Sequence, residues 1–324
     1  MVALPHLWSR YRDAILDAGS PPATVDTHDD VSNSEEVHME SLTSPLRRFL
    51  GQNAQPAKGT HQAQVVSVCA RKGGVGKTTT AVSIASGLAM NYGKKVLLID
   101  VDAQGHCSSA LRNCIAGVST ETLSSVLLGR KRDVSEIALS TRIPGLWVTA
   151  ADKDLNHTEG ILSGRIGKEF LLKRSLDVAR TLFDFIVIDC PPNLGNLTVN
   201  ALSASDWALV PCDMSTLALE GVDDIFEMLE ALSDNLGHHV AVLGVLRTRF
   251  DARNQKVNDA VDPILTRRYE RELLETKIPV NTQLAQAQVV GEPIYEVSKT
   301  CKGALAYRDL MREIEGRLGL SSSR

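Results

Sequence analysis

From Gln64 onward, short unbroken apolar runs alternate with longer amphipathic stretches. The runs are VVSVCA at 65–70, VLLID at 96–100, LWVTA at 146–150, FIVID at 185–189, ALVPC at 208–212 and VAVLGVL at 240–246. Runs this short and this apolar predict strands buried on both faces, as in a parallel sheet. A further short strand is predicted near Leu274 to Ile278. Between them the spacing predicts helices over roughly Thr78–Asn91 (closed by Gly93), Glu121–Leu128, Lys168–Leu182, Gly221–Asn235, Asn258–Leu265 and Gly303–Leu318. A polar, glycine-bearing loop is expected after LWVTA. Strands alternating with helices of this length imply βαβ units with right-handed crossovers. The expected fold is therefore α/β, a mostly parallel twisted sheet with helices on both faces.

The first 63 residues lack this rhythm. Leu7 to Ala18 has the spacing of a short amphipathic helix, and an acidic Ser/Asn-rich stretch and a Gln/Ala/Gly-rich run follow it. Residues 1–63 are read as an extension, a short helix plus a flexible linker, and 64–324 as the folded domain. The Leu7–Ala18 segment is either a partner-binding peptide or a helix that docks on its own domain or frays.

Composition narrows the classes. The net charge is −4, so any contact with nucleic acid must come from a local patch. Six cysteines occur with no C-x-x-C pair, which argues against zinc ribbons and favours reduced thiols. No apolar run approaches the roughly 18 residues a membrane span needs. The N-terminus lacks a basic-then-apolar signal pattern, so the cytoplasm is the expected location.

The sharpest chemistry lies between the first strand and the first helix, at Lys72-Gly73-Gly74-Val75-Gly76-Lys77-Thr78-Thr79. Glycines there let the backbone fold into a nest whose N–H groups point at phosphate oxygens. The helix that follows adds the positive end of its dipole. Lys77 can reach the β- and γ-phosphates, and the Thr78 hydroxyl can bind Mg²⁺. Two strands then end in acids: VLLID opens Asp100-Val101-Asp102-Ala103-Gln104-Gly105-His106, and FIVID leads to Asp189-Cys190-Pro191-Pro192. Carboxyl ends of parallel strands face the ligand crevice. A carboxylate there can orient an attacking water or hold Mg²⁺ through water.

The loop departs from G-x-x-x-x-G-K-[ST]: Arg71 replaces the first Gly, and Lys72 sits just inside. This form resembles the deviant Walker A loop of the ParA/MinD superfamily, and the chain looks closest to its ParA branch. The Asp100–His106 turn resembles the family's D-x-D-P-Q-G-N, with Ala103 for Pro and His106 for Asn, which loosens the turn and changes one polar contact near the phosphates. Further resemblance runs through Ser205-Asp206-Trp207, Val210-Pro211, Leu219-Glu220-Gly221, the stretch 242–254, Ile278-Pro279-Val280-Asn281 and Gly291-Glu292-Pro293-Ile294, to Lys302-Gly303-Ala304 and Ala306-Tyr307. It covers nearly everything from Val65 to Leu318.

The resemblance implies a slow, partner-stimulated ATPase that uses ATP and Mg²⁺. Two copies would sandwich the nucleotide, with Lys72 reaching the partner's phosphates. Asp102 would position the attacking water, Asp100 would support Mg²⁺ or loop geometry, and Asp189 would hold Mg²⁺ in a γ-phosphate-sensing switch. Thr248 and Asn281 would lie near adenine. ParA proteins of this kind move DNA, division-site markers or organelles, most by nonspecific DNA binding on the nucleoid, and a ParB-like or scaffold protein releases them. Candidate DNA contacts are Arg253, Arg267, Arg268 and Arg271, with Arg247, Arg249, Lys256 and Lys299 as further cations. Val280 and Gln283 replace two family arginines, which shifts the expected DNA surface toward Arg267, Arg268 and Arg271. Two alternatives share the fold. One is a MinD-like membrane-cycling regulator, although the C-terminal tail is mixed in charge and lacks aromatics. The other is an iron–sulfur reductase or carrier built on Cys69, Cys107, Cys114, Cys190, Cys212 or Cys301, which show no pairing by spacing.

Overall fold

The computed structural model describes residues 62–320. The expected extension helix at Leu7–Ala18 and the linker after it lie outside the described residues. Eight strands form one sheet in the order β3-β4-β2-β5-β1-β6-β7-β8. They are β1 Gln64–Val68, β2 Val96–Asp100, β3 Ala138–Ser140, β4 Leu146–Thr149, β5 Phe185–Asp189, β6 Trp207–Asp213, β7 Ala241–Phe250 and β8 Leu273–Pro279. All neighbours pair in parallel except β3, which runs antiparallel to β4 at the edge. The mostly parallel α/β architecture is as the apolar runs predicted.

Alternation along each strand sorts its side chains onto two cores. Val65, Leu97, Ile99, Ile186, Ile188, Ala208 and Val210 face one core. Val66, Val68, Leu98, Val187, Leu209 and Leu246 face the other. The first face is covered by helices that include α7 Asn196–Ser203 and α8 Thr216–Leu236. The second is covered by α1 Lys77–Tyr92, α2 His106–Ala110 and, near the C-terminus, α12 Lys302–Glu315. Other helices are α3 Leu123–Leu127, α4 Leu155–Leu162, α5 Leu171–Arg174, α6 Ala179–Leu182, α9 Gln255–Arg268, α10 Thr282–Val290 and α11 Ile294–Val297.

Three differences from the sequence-based expectations have physical causes. The helix expected over 168–182 is broken into a 3₁₀ turn at Lys168–Phe170, α5 and α6. The buried Asp133 accepts from the Val178 and Ala179 amides at 2.8 and 3.2 Å, so the chain restarts a helix there. The polar stretch after β4, expected as loop, forms α4, whose Leu155, Thr158 and Leu162 are buried on one side. Strand β7 continues past the apolar run to Phe250, because Arg247 and Thr248 are buried by partners on neighbouring elements.

Candidate nucleotide site

Register places the chemistry. In the β1–β5 and β2–β5 ladders, Val68 and Asp100 both pair with Asp189, so three strands end at one height. Strands lie about 4.8 Å apart. Two carboxylates and the start of the glycine loop therefore meet at the middle of the sheet's carboxyl edge, where ligands of open α/β sheets bind.

The loop between β1 and α1 forms the cup. Gly74 and Gly76 hold φ of 76° and 91°, conformations that side chains rarely adopt. Gly76 caps α1, and no side chain closes that end, so the first amides of α1 point at the cup unused. Lys77 is nearly buried, and its Nζ donates to the Lys72 carbonyl at 3.1 Å. Burial pulls its pKa down, and Asp189, Cys190 and Asp102 partly oppose that. The far wall comes from β7: Thr248 Oγ1 donates to the Val75 carbonyl at 2.7 Å. Arg249 Nη1 donates to the Gly74 carbonyl at 3.1 Å. Thr79 Oγ1 accepts from Gln288 Nε2 at 2.7 Å, tying α10 to the base of α1.

The acids divide in role. Asp100 accepts from the Asp102 amide at 3.1 Å and the Cys107 amide at 2.9 Å, and it holds the turn into α2. Burial and the neighbouring Asp189 charge keep its pKa well above the usual carboxylate range. This is the loop-geometry role. Asp102 is 9% exposed, and its carboxylate accepts only from the Gln104 amide, at 3.0 Å, among the described hydrogen bonds. Gly105 is left-handed at φ 64°, and a Cβ there would stand 2.5 Å from that of Ala151, so the turn requires glycine. His106 is exposed.

Asp189 is fully buried, and its Oδ1 has no hydrogen-bond partner. Burial raises its pKa to about 6, opposed by the Thr78 hydroxyl, the Cys107 thiol and Lys77. A buried carboxylate oxygen without a donor is costly unless a cation or its water completes it. The donor set here, a carboxylate and a threonine hydroxyl beside a phosphate cup, is hard and all-oxygen, and it fits Mg²⁺.

Lys72 is the loop's second cation. Its Nζ pairs with Asp213 Oδ2 at 2.7 Å and donates to Ser215 Oγ at 3.2 Å. Asp213 ends β6, so within one copy Lys72 leans along the rim and leaves its own cup to Lys77. Asn281 caps α10, accepting from the Gln283 amide at 2.9 Å.

The candidate DNA cations sit apart, around β7 and α9. Arg253 is exposed and bidentate on Asp251, at 2.9 and 2.8 Å, which holds the Asp251 carboxyl down to about 2. Arg268 pairs with Asp223 at 2.7 Å. Arg267 lines a cleft of about 710 Å³ with Asp259, Asp262 and Glu270. Arg271, Lys256 and Lys299 are not buried. Arg247 is a correction: it is buried, bound to Asp262 at 2.7 Å and to the Leu274 and Glu275 carbonyls, and it joins β7 to β8 instead of facing a ligand. Arg249, grouped with the DNA cations by its charge, faces the phosphate loop.

Fold, cup and paired strand-end acids define a P-loop nucleotide-binding protein. The family model described as an AAA domain matches residues 63–242. The sporulation initiation inhibitor protein Soj of Bacillus subtilis is 35% identical over 252 residues, covering 78% of this chain and 98% of Soj. The chromosome partitioning protein ParA of Caulobacter vibrioides is 35% identical over 256 residues, covering 78% of this chain and 94% of ParA. Among solved structures, the Mycobacterium smegmatis protein described as cobyrinic acid a,c-diamide synthase, with a bound ATP analogue and magnesium, superposes with a TM-score of 0.65 at 32% identity. That match covers 79% of this chain and 97% of the other. The chain belongs to the ParA/MinD superfamily of P-loop ATPases.

Proposed function

We propose that this chain is an ATP-driven positioning switch of the ParA type, cycling between a nucleotide-loaded dimer and a released form. ATP and Mg²⁺ are its ligands. The glycine cup and Lys77 take the β- and γ-phosphates, Thr78 takes Mg²⁺, and Asp189 holds the ion through water. Asp102 orients the attacking water. Lys72, already at the rim, exchanges Asp213 for the partner's phosphates when two copies close on the nucleotide. Asp213 then sits beside a cation shared with the partner. Thr248 and Asn281 flank the adenine side.

The single observation that carries this reading is the placement of two lysines from one short loop, one inside the cup and one on its rim. A P-loop enzyme working alone needs only the first. The dimer binds DNA nonspecifically through Arg253, Arg267, Arg268 and Arg271, and residues 1–63 tether the domain to a partner or to itself. A ParB-like or scaffold protein stimulates hydrolysis and releases the cargo, with the chain cytoplasmic and on the nucleoid between cycles. Among the described residues no helix is long and apolar enough to cross a membrane.

The test is a DNA mobility shift at low salt with an unrelated duplex. ATP with Mg²⁺ produces a shift that ADP does not, and the shift weakens steeply as salt rises. Equal retardation with either nucleotide, or none with ATP, removes DNA as the surface on which the switch works.

A further inference from the structure

The first turn of α2 tucks the Cys107 thiol beneath two strand ends. Its Sγ lies 3.4 Å from Asp189 Oδ2. One ligand atom each from Asp100, Cys107 and Asp189 lies within 4.8 Å of the others, and all three side chains are buried, 1%, 0% and 0% exposed. Among the described residues this is the one cluster of metal-ligating groups so closely drawn together. Asp189, whose Oδ2 meets the thiol, also carries the orphaned Oδ1, a fully buried oxygen with no hydrogen-bond partner.

The donor set differs from that of the nucleotide's ion. Mg²⁺ takes oxygen ligands in near-octahedral geometry and gains little from sulfur. A thiolate with two carboxylates suits a softer ion that accepts four ligands. Zinc with ligands at about 2.0–2.3 Å spaces them by roughly 3.3–3.8 Å, which the 3.4 Å Cys107–Asp189 contact already meets, while a pair at the 4.8 Å limit would close by about 1 Å. The charge balance points the same way. Three carboxyl groups, those of Asp100, Asp102 and Asp189, and the Cys107 thiol gather at the spot, and Lys77 is the buried cation beside Asp189. A divalent ion supplies the missing positive charge and displaces the thiol proton to solvent as the metal–sulfur bond forms.

We propose that Asp100, Cys107 and Asp189 bind a thiophilic divalent cation of the zinc class when the nucleotide pocket is empty, and that this ion and Mg²⁺·ATP exclude one another. The exclusion rests on the reading that Asp189 serves the nucleotide's Mg²⁺; the site itself does not. Bound zinc therefore holds the switch in its unloaded form.

The experiment uses the full chain, freed of nucleotide and metal, with Co²⁺ as the probe. One equivalent gives a thiolate-to-cobalt charge-transfer band, Mg²⁺ alone leaves it intact, and Mg²⁺·ATP abolishes it. Cys107→Ser loses the band and binds Co²⁺ about tenfold or more weakly, whereas Cys301→Ser keeps it. X-ray absorption at the zinc edge of the wild-type protein shows one sulfur and otherwise oxygen ligands, a readout that needs no variant to fold. Absence of the band, its survival in Cys107→Ser, or two or more sulfurs at zinc overturns the site. A band that persists under Mg²⁺·ATP overturns the exclusion. Failure of the metal-free protein to bind Mg²⁺·ATP by calorimetry would count against the nucleotide reading and leave the metal site standing.

Discussion

The carboxyl edge at β1, β2 and β5 and the flank at β7, β8 and α9 are both crowded with charge, yet they are built in opposite ways. At the edge, the groups are buried and set by backbone: register aligns Asp100 with Asp189, and glycine dihedrals open the cup. Too few cations are present, and a buried acid is left with one oxygen unpaired. At the flank, four cations have acids: Arg253 with Asp251, Arg268 with Asp223, and Arg247 and Lys277 with Asp262. An edge short of partners binds a charged ligand tightly. Where a flank cation already holds an acid, a polyanion would have to displace that pair, so contact there would be weak and salt-sensitive. That contrast is what the proposed switch requires, a nucleotide held firmly and a cargo that can be released.

The contrast is most exposed to failure at Lys77. Lys77→Ala removes the cation inside the cup, and nucleotide binding by calorimetry falls by a factor of about 100 or more, the scale of a buried charge-assisted contact to phosphate. Retained affinity would mean that the cup does not grip phosphates. Asp102→Ala separates chemistry from binding. Mg²⁺·ATP affinity stays within a few fold, while phosphate release in a single-turnover assay slows by about 10²–10⁴.

The flank is probed by two further variants. Arg247→Ala leaves two strand carbonyls without their donor and Asp262 with Lys277 alone, so the melting transition falls by the equivalent of about 1–3 kcal/mol. The salt slope of DNA binding barely moves. Arg267→Ala with Arg268→Ala does the reverse: stability changes little, and the slope of log affinity against log salt drops by about one for each phosphate that the pair neutralises. If both variants shift the slope equally, the split between structural and ligand-facing arginines fails.

The smallest effect is a titration. Arg253 depresses the Asp251 carboxyl to about 2 in the folded chain. A carboxyl held below its unfolded value lends stability above that value and loses it as pH falls toward 2. On this exposed pair the contribution is slight, so the readout is the carboxyl resonance itself. Arg253→Ala returns the midpoint toward the ordinary carboxylate range, and saturating DNA shifts it the same way if phosphates draw Arg253 off. An unmoved midpoint with DNA bound means that Arg253 does not meet the backbone.

Much of the candidate site's geometry was legible in the sequence because it is local. The Lys72–Thr79 spacing fixes both lysines and the threonine within one short loop. Asp100 and Asp189 each close an apolar run, and a parallel sheet brings such ends together. What could not be read depends on distant partners. The Lys72–Asp213 pair joins residues 141 positions apart. Arg249 carries the one left-handed backbone among non-glycine residues described, φ 51°, and that twist turns its guanidinium to Gly74. Nothing in its neighbours announces such a dihedral, so charge alone grouped it with the DNA cations. Arg247 misled for a related reason: a buried arginine and an exposed one look alike until the strand beyond Leu246 is known to continue. The split of the 168–182 helix likewise rests on Asp133, far upstream in the chain.

A nucleotide-glued dimer is tested most directly by the mass of the Asp102→Ala protein in solution with saturating Mg²⁺·ATP, by sedimentation or light scattering. Twice the mass of one chain is expected, reverting to a single chain when Lys72→Ala is added or ADP is supplied. A single chain with ATP bound, or a dimer indifferent to both Lys72 and nucleotide, would contradict it.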